Sequence, residues 1–518
     1  MDRRQFLAHA AGAGVVLGGA GRAWANPPPE GLNFGLPTPF DFNRLRARAK
    51  ALAAAPYRPA SFPAQALVHS IDFDLIQKIK FRSACTLWPD SRFPVRFFHL
   101  HRYVPQPVKI HVVAGGNARE IIYSARYFDD SGTGIDRKLP PDLGFAGFRV
   151  MNGGKETDWL AFQGASYFRS CGDEDQYGAS ARGIAIDTGM TKPEEFPRFT
   201  EFWLEEPKGA DAIIIYALLD GPSVSGAYRI EATHQTGVLT TIEADLFARA
   251  DIERLGIAPL TSMFWYGENN DGRRADWRPE IHDSDGLALW TGKGERIWRP
   301  LIDPRAVLTN SFIDTNPKGF GLLQRDRNFD HYQDDGAFYN RRPSLWIEPT
   351  GNWGQGAVQL VEIPTDDEIH DNVVAYWTPA KPTRRGDNVT FGYKLFWQSA
   401  EPHFPKDIAR VIATRIGRGG VPGQIPRPKD SHKFVIDFEG GPLSKMAPRY
   451  DVTPVTSISR GTIQNPYVVK VVGTDHWRAA FDLHCDGSEP IDMRCYLRLG
   501  DTTLSETWLY QFFPPLAA

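Results

Sequence analysis

A chain of 518 residues has room for one large and one small domain and can bury a sizeable core. Its 59 Lys and Arg stand against 62 Asp and Glu, so it lacks the basic face that a nucleic-acid partner would require. The 48 Gly and 40 Pro are scattered as turn punctuation and form no low-complexity block, which predicts many short strands.

Residues 1–25 read as an export signal. Arg3-Arg4-Gln5-Phe6-Leu7 opens a twin-arginine pattern, a weakly apolar Ala/Gly run follows to Ala20, and Ala23-Trp24-Ala25 offers a small-x-small cleavage site. The run is too short and glycine-rich to span a bilayer, which takes roughly 20 apolar residues. Gly12-Ala13-Gly14 is no nucleotide loop, since no strand precedes it and the spacing to Gly18 is wrong. No later segment is apolar enough for a membrane helix. The mature chain, starting near Asn26, is therefore expected in the periplasm of a Gram-negative cell.

After a Pro-rich stretch to Pro39, Asp41 caps a predicted helix in which Phe42, Leu45, Ala49 and Leu52 recur at helical spacing before Pro56. Strands are predicted over 97–103, 109–113, 120–127 and 199–204, and the continuous apolar run 212–218 suits a strand buried on both faces. His99 and His101 share a strand face; with no third ligand in view, packing is favoured over metal binding. Two strands over 228–247 flank Gln235-Thr236-Gly237, a hairpin signal. Seven of the 14 tryptophans (Trp265, Trp277, Trp290, Trp298, Trp346, Trp353 and Trp377) fall between residues 260 and 380. A carbohydrate cleft uses such clustering, and a Trp-rich core accounts for part of it.

The densest chemistry lies between Gly319 and Asn372. Asp334, Asp335, Glu348, Glu362, Asp366, Asp367, Glu368 and Asp371 alternate there with Tyr332, Phe338, Tyr339, Trp346 and Trp353, while Arg341 and Arg342 supply forked donors. Carboxylates beside flat apolar faces suit a sugar: rings stack, hydroxyls take paired bonds, and one acid protonates a glycosidic oxygen. For any single residue a solvated hairpin turn remains the plainer alternative.

Strands are predicted at 373–377 and 389–397, then a short helical run at 406–416 opens into a glycine-rich segment to Gly423, placing a domain boundary near residue 400. Beyond it, strands at 434–438, 461–472, 477–484, 493–499 and 507–513 predict a small immunoglobulin-type sandwich. Cys85, Cys171, Cys485 and Cys495 show no metal-ligand spacing. Asp486-Gly487-Ser488 reads as a hairpin turn that would set Cys485 and Cys495 out of register, so buried thiols are favoured over a bridge. Nucleophile elbow, phosphate loop and zincin motifs are absent, which leaves paired carboxylates as the chemistry and gives no reason to expect a cofactor or metal.

Several long strings are shared with a known family. Ser262-Met263-Phe264, Arg278-Pro279-Glu280-Ile281-His282-Asp283-Ser284, Trp298-Arg299-Pro300-Leu301, Gly319-Phe320-Gly321-Leu322-Leu323-Gln324-Arg325, Val361-Glu362-Ile363-Pro364-Thr365, Asp371-Asn372 and Leu504-Ser505-Glu506-Thr507-Trp508 carry the likeness. Across nearly the whole mature chain the sequence resembles the OpgG/OpgD (MdoG/MdoD) family of periplasmic glucan biosynthesis proteins. The twin arginines and His331-Tyr332-Gln333-Asp334-Asp335 are closer to its D branch.

The resemblance implies a mainly β protein: a galactose-mutarotase-like β-sandwich over 26–400 and an immunoglobulin-like one over 401–518. It implies work on osmoregulated periplasmic glucans with a β-1,2-linked glucose backbone, Asp371 acting as general acid and Asp283 serving the water. Tyr332, Tyr339, Arg342, Trp346, Trp353 and Glu368 are the expected substrate contacts. Asp366, Asp367 and Glu368 are expected to press on Asp371 as like charges and raise its pKa, while His282 and Ser284 flank Asp283 as relay partners. Asn352 departs from the acidic residue expected in its place. Three readings stay open: an endo-β-1,2-glucanase, a transglycosylase or cyclising enzyme, and a non-catalytic scaffold serving inner-membrane synthesis machinery. A homodimer stays open as an assembly state.

Overall fold

Asp41 opens the first long element. Its Oδ1 accepts from the Arg44 amide at 2.9 Å, and helix α1 (Phe42–Ala54) follows with Leu45 and Ala49 buried, as the helical spacing predicts. The apolar face of α1 shares a cluster with Trp203, Leu218 and Ala227. The structure, a computed structural model, describes residues 31–59, 64–207, 211–270, 276–423 and 425–514. The export signal expected over residues 1–25 lies outside them. Beyond α1 the protein is mainly β, with several largely antiparallel sheets.

One ladder runs through Lys109–Ala114, Arg198–Glu205, Ala212–Asp220, Val224–His234, Val238–Ala248, Asn388–Gln398, Ser344–Thr350, Gly319–Leu323, Gly286–Trp290 and Arg296–Pro300. It continues by parallel pairing with Thr507–Phe512 into Ile491–Leu499 and Val452–Ile458, so one sheet spans residue 400. A second sheet orders Leu308–Thr315, Gln355–Glu362, Val373–Pro379, Leu255–Ser262, Ser180–Arg182, Tyr167–Ser170, Asp158–Gln163, Gly147–Met151 and Val95–Phe98. The two share a core, where Phe148 and Phe162 meet Phe202 at 5.1 and 5.5 Å between ring centroids. A third sheet, with Arg410–Arg418, Ser431–Glu439, Trp477–His484 and Thr462–Lys470, packs Phe434 and Phe481 on Trp508.

Several expectations are corrected. The run 406–416 is no helix: Arg410–Arg418 is a strand, because its β-branched Val411, Ile412, Thr414 and Ile416 suit a pleated surface and Ser431–Glu439 offers it a partner. Residues 486–488 form no hairpin turn, since Trp477–His484 joins the third sheet and Ile491–Leu499 the first; Cys485 and Cys495 are buried free thiols. The strand expected to reach residue 103 stops at Phe98. His99 and His101 lie beyond it, pushed down to about 4 and about 3 by burial and hence neutral packing groups, with His99 donating to the Leu100 carbonyl at 2.6 Å. Ala212–Asp220 exposes alternate residues to partial solvent where burial on both faces was expected, leaving Tyr216 against α1. The hairpin at Gln235 forms as predicted.

Glu201 lies beneath α1, accepting from Arg48 Nη1 at 3.0 Å with His111 Nε2 at 3.4 Å. Burial raises a carboxyl, but hydrogen bonds from His111 and Arg48 outweigh it and hold Glu201 at about 2. A folded pKa below the unfolded one gives stability that is present above the ordinary value of 4.5 and lost as pH falls from there toward about 2. Glu201→Gln is expected to lower unfolding free energy by about 1 to 3 kcal/mol at neutral pH. Denaturant titrations should show that deficit shrinking across the acid range; a deficit independent of pH would contradict the account.

Candidate active site

A short ladder, Phe264–Tyr266 with Ile281–His282, is the frame of the site. The Asp283 amide donates to the Met263 carbonyl at 2.9 Å, which fixes the chain just past His282. Asn372 clamps the neighbouring residue from both sides: its Oδ1 accepts from the Phe264 amide at 2.9 Å and its Nδ2 donates to the Phe264 carbonyl at 2.8 Å. Residues 263 and 264 therefore hold the segments bearing Asp283 and Asp371 to one support.

Residues 326–342 carry two short 3-10 turns, Phe329–His331 and Tyr339–Arg341, and no strand. Phe338 takes a left-handed φ of 47° before the second, a conformation costly for a side chain with a Cβ. Tyr339 then stacks on Tyr332 at 6.1 Å, and Tyr332 meets His282 edge-on at 5.2 Å. The Arg342 guanidinium lies 4.2 Å over the Tyr339 ring and donates from Nη1 to Asp283. A Cβ at Gly178 would stand 2.8 Å from the Arg342 Cβ, so only glycine leaves that side chain its place.

The Tyr339 hydroxyl donates to Glu368. Arg278 grips the same carboxylate with both forks, at 3.0 and 3.1 Å, and also donates to Asp334 at 2.7 Å and to Asp276 at 2.9 Å. A connected network results: Asp283, Arg342, Tyr339, Glu368, Arg278, Asp334. Burial works against the charge on Arg342, but Asp283 and Tyr339 more than offset it and hold the guanidinium above its usual range. Burial likewise opposes the charge on Arg278, and hydrogen bonds to Asp276, Glu368 and Asp334 raise its pKa overall. Burial raises the Tyr339 hydroxyl, which keeps its proton and serves as a donor.

Behind this network lies a second layer. His282 is buried, which lowers its pKa, yet Glu280 at 3.0 Å reverses the effect and raises it. The Gln324 amide nitrogen donates to the His282 and Tyr339 carbonyls at 2.9 and 3.0 Å, so its oxygen faces the imidazole Nδ1 at 2.8 Å. Both ring nitrogens then act as donors, and the ring beside Asp283 is fixed.

Asp371 pairs with Arg169 at 3.5 Å. Glu368, expected to press on Asp371 as a like charge, instead commits both oxygens to Arg278 and Tyr339. Tyr332, Tyr339, Arg342, Glu368 and Asp283 are thus brought together, and the Asp371 segment is tied to the same frame by the Asn372 clamp on Phe264. Trp346 and Trp353 are not. Trp346 is buried beneath Gly319, where a Cβ would meet its ring at 2.4 Å, and donates to Glu348 at 3.1 Å. Trp353 donates to the Gly392 carbonyl at 3.2 Å and packs on Trp377 and Tyr393. Trp277 stands apart from these, 70% exposed beside Arg278. Arg278, Gln324 and Asn372 lie inside the family strings, but their clamping roles arise only when distant segments close; Arg169 has no signal in the sequence.

The chain matches the family described as Periplasmic glucan biosynthesis protein, MdoG, over residues 40–512. It is 51% identical over 499 residues to glucans biosynthesis protein D 2 of Ralstonia nicotianae, covering 93% of this chain and 92% of that one. Identity is 49% over 529 residues to glucans biosynthesis protein D of Stenotrophomonas maltophilia, covering 100% and 98%. It is 48% over 531 residues to glucans biosynthesis protein D of Xanthomonas campestris pv. campestris, covering 100% and 99%.

Removing one member of a buried ion pair typically costs about 3 to 5 kcal/mol, because the other charge stays buried. Arg342→Met is expected to destabilise the protein by that order, and adding Asp283→Asn should recover most of the loss. Urea unfolding of the wild type, both single variants and the double variant measures the coupling. Strictly additive losses would contradict the pairing.

Proposed function

Because this chain belongs to the MdoG family of periplasmic glucan biosynthesis proteins, we propose that it shapes the glucose backbone of a periplasmic glucan by cleaving β-1,2-glucan internally. Its compartment is the periplasm. In this reading Asp371 gives a proton to the glycosidic oxygen, and water activated by Asp283, directly or through a relay, attacks the anomeric carbon. The sandwich types assigned to 26–400 and 401–518 and the twin-arginine route belong to the same reading.

The observation that carries it is the shared support at residues 263 and 264. The Asp283 backbone and the residue after Asp371 hang from adjacent positions, which supports a common site for two acids from segments far apart in sequence. Around them lie groups suited to glucose. Arg342 and Tyr339 fix the direction of Asp283 and Glu368, and the open Trp277 ring offers a face on which a sugar can stack. Positioning of this kind is what an acid and a water-activating base need before proton transfer assists the reaction.

With linear β-1,2-glucan as substrate, Asp371→Asn and Asp283→Asn are each expected to lower turnover by at least about 100-fold while affinity changes little. Trp277→Ala should instead weaken glucan binding by about 1 kcal/mol. Chromatography of the products, beside calorimetric binding, reads both effects. Full activity in Asp371→Asn would overturn the acid assignment. Wild-type protein that binds the glucan and never converts it would assign the chain to scaffolding, and ring-closed products would assign it to transglycosylation.

A further inference from the structure

Beside His282 lies a small cleft of about 30 Å³, room enough for a water or an ion. Its walls include four carboxyl-bearing residues, Glu268, Glu280, Asp285 and Asp326. All four already have partners within the protein: Glu280 faces His282 Nε2 at 3.0 Å, and Asp326 accepts from the Asn328 amide at 2.9 Å and pairs with His331 Nδ1. Asp285 accepts from the amides of Arg325 and Asp326, at 3.0 and 2.9 Å for one of its oxygens, and Glu268 pairs with Arg415 at 2.9 Å. Glu280 and Asp326 converge differently. With the His331 imidazole they bring one donor atom each to within 4.8 Å of one another.

We propose that Glu280, Asp326 and His331 hold a first-row divalent cation, zinc by the donor set, which clamps the start of the 326–342 segment to the strand that leads into Asp283. One imidazole and two carboxylates make three protein ligands, the number that leaves an open position for water. Calcium and magnesium prefer six or more oxygens and find no such shell here. Ion–ligand bonds of about 2.0 to 2.2 Å at a tetrahedral centre place donors roughly 3.4 Å apart, so the widest pair needs to close by at most about 1.4 Å. His331 is able to make that movement, since its side chain is 41% exposed. His282, donating to Glu280 at 3.0 Å, supplies the outer hydrogen bond that orients a carboxylate ligand.

The position matters for the neighbouring site. Glu280 lies three residues before Asp283, and His331 directly precedes Tyr332, whose ring stacks on Tyr339. An ion here would join the two segments at their base. Along the chain no ligand spacing is visible, because Glu280 and the 326–331 turn are separate in sequence and meet only when His282 and Tyr332 pack edge to edge.

Titrating chelator-treated mature protein with zinc chloride by calorimetry tests the proposal without any glucan, so its outcome is independent of the proposed catalytic activity. One site of micromolar or tighter affinity is expected, with His331→Ala and Asp326→Asn each weakening it at least tenfold while the metal-free unfolding temperature stays close to that of the wild type. No binding up to millimolar zinc, an affinity unchanged in His331→Ala, or preferential binding of calcium chloride would each overturn it. Should Asp326→Asn fail to fold, the His331→Ala result decides alone.

Discussion

A guanidinium buried in a protein keeps its charge, and several arginines placed inside this fold meet a carboxylate there, whereas Arg327 is met by the Asn340, Arg342 and Ser399 carbonyls. Arg299 holds Glu362 at 2.7 and 3.0 Å, Arg296 meets Glu401 at 2.6 Å, and Arg325 reaches Glu506. Arg278 takes Glu368, and Arg342 takes Asp283. Such pairs add little net stability, because desolvating both partners cancels much of their attraction. They are stringent about position, however. A pair that misses leaves a bare charge in the interior, so the segments carrying the two partners have one allowed arrangement. Arg325 and Glu506 impose this between the Gly319–Leu323 strand and the C-terminal Thr507–Phe512 strand.

The candidate site is the same rule applied at the surface of the core. Arg342 is bound to Asp283 on one side and to the face of Tyr339 on the other, and Tyr339 passes the connection to Glu368 and Arg278. Asp283 is consequently held by its backbone amide and by its carboxylate together. Asp371 receives its position from Asn372, whose side chain replaces a missing stretch of backbone pairing at Phe264. The aromatic residues divide by environment. Trp298, Trp346 and Trp377 are buried, whereas Trp277 is exposed next to the charged network.

What the sequence made legible was the local part of this design. The Asp41 cap, the helical spacing that follows and the hairpin at Gln235 depend on residues close in the chain, and each is found as read. Arg410–Arg418 shows the limit: its apolar residues fit both periods, and only the partner strand decides between them. Cys485 and Cys495 show it again, since Asp486-Gly487-Ser488 reads as a hairpin turn and the fold instead changes sheet there. At the site, a shared family string picked out Asp283 and the dense stretch between Gly319 and Asn372 offered Tyr339, Arg342 and Glu368, which the fold joins to it by direct contacts. The same density of aromatics drew in Trp346 and Trp353, which the fold packs away from this network, because a buried indole and a stacking platform look alike until burial is known. Arg169 could not be read at all, as its contact with Asp371 joins an interior strand of the second sheet to the loop before Val373–Pro379, far along the chain.

The most direct test of the account is a crystal structure of Asp371→Asn protein with a linear β-1,2-glucan bound. The account predicts a glucan chain running past Trp277 and Tyr339, with one interglucose oxygen in hydrogen-bond reach of residue 371 and Asp283 on the opposite side of the same sugar. A glucan seated elsewhere, or one whose linkages all lie out of reach of both residues, would contradict it.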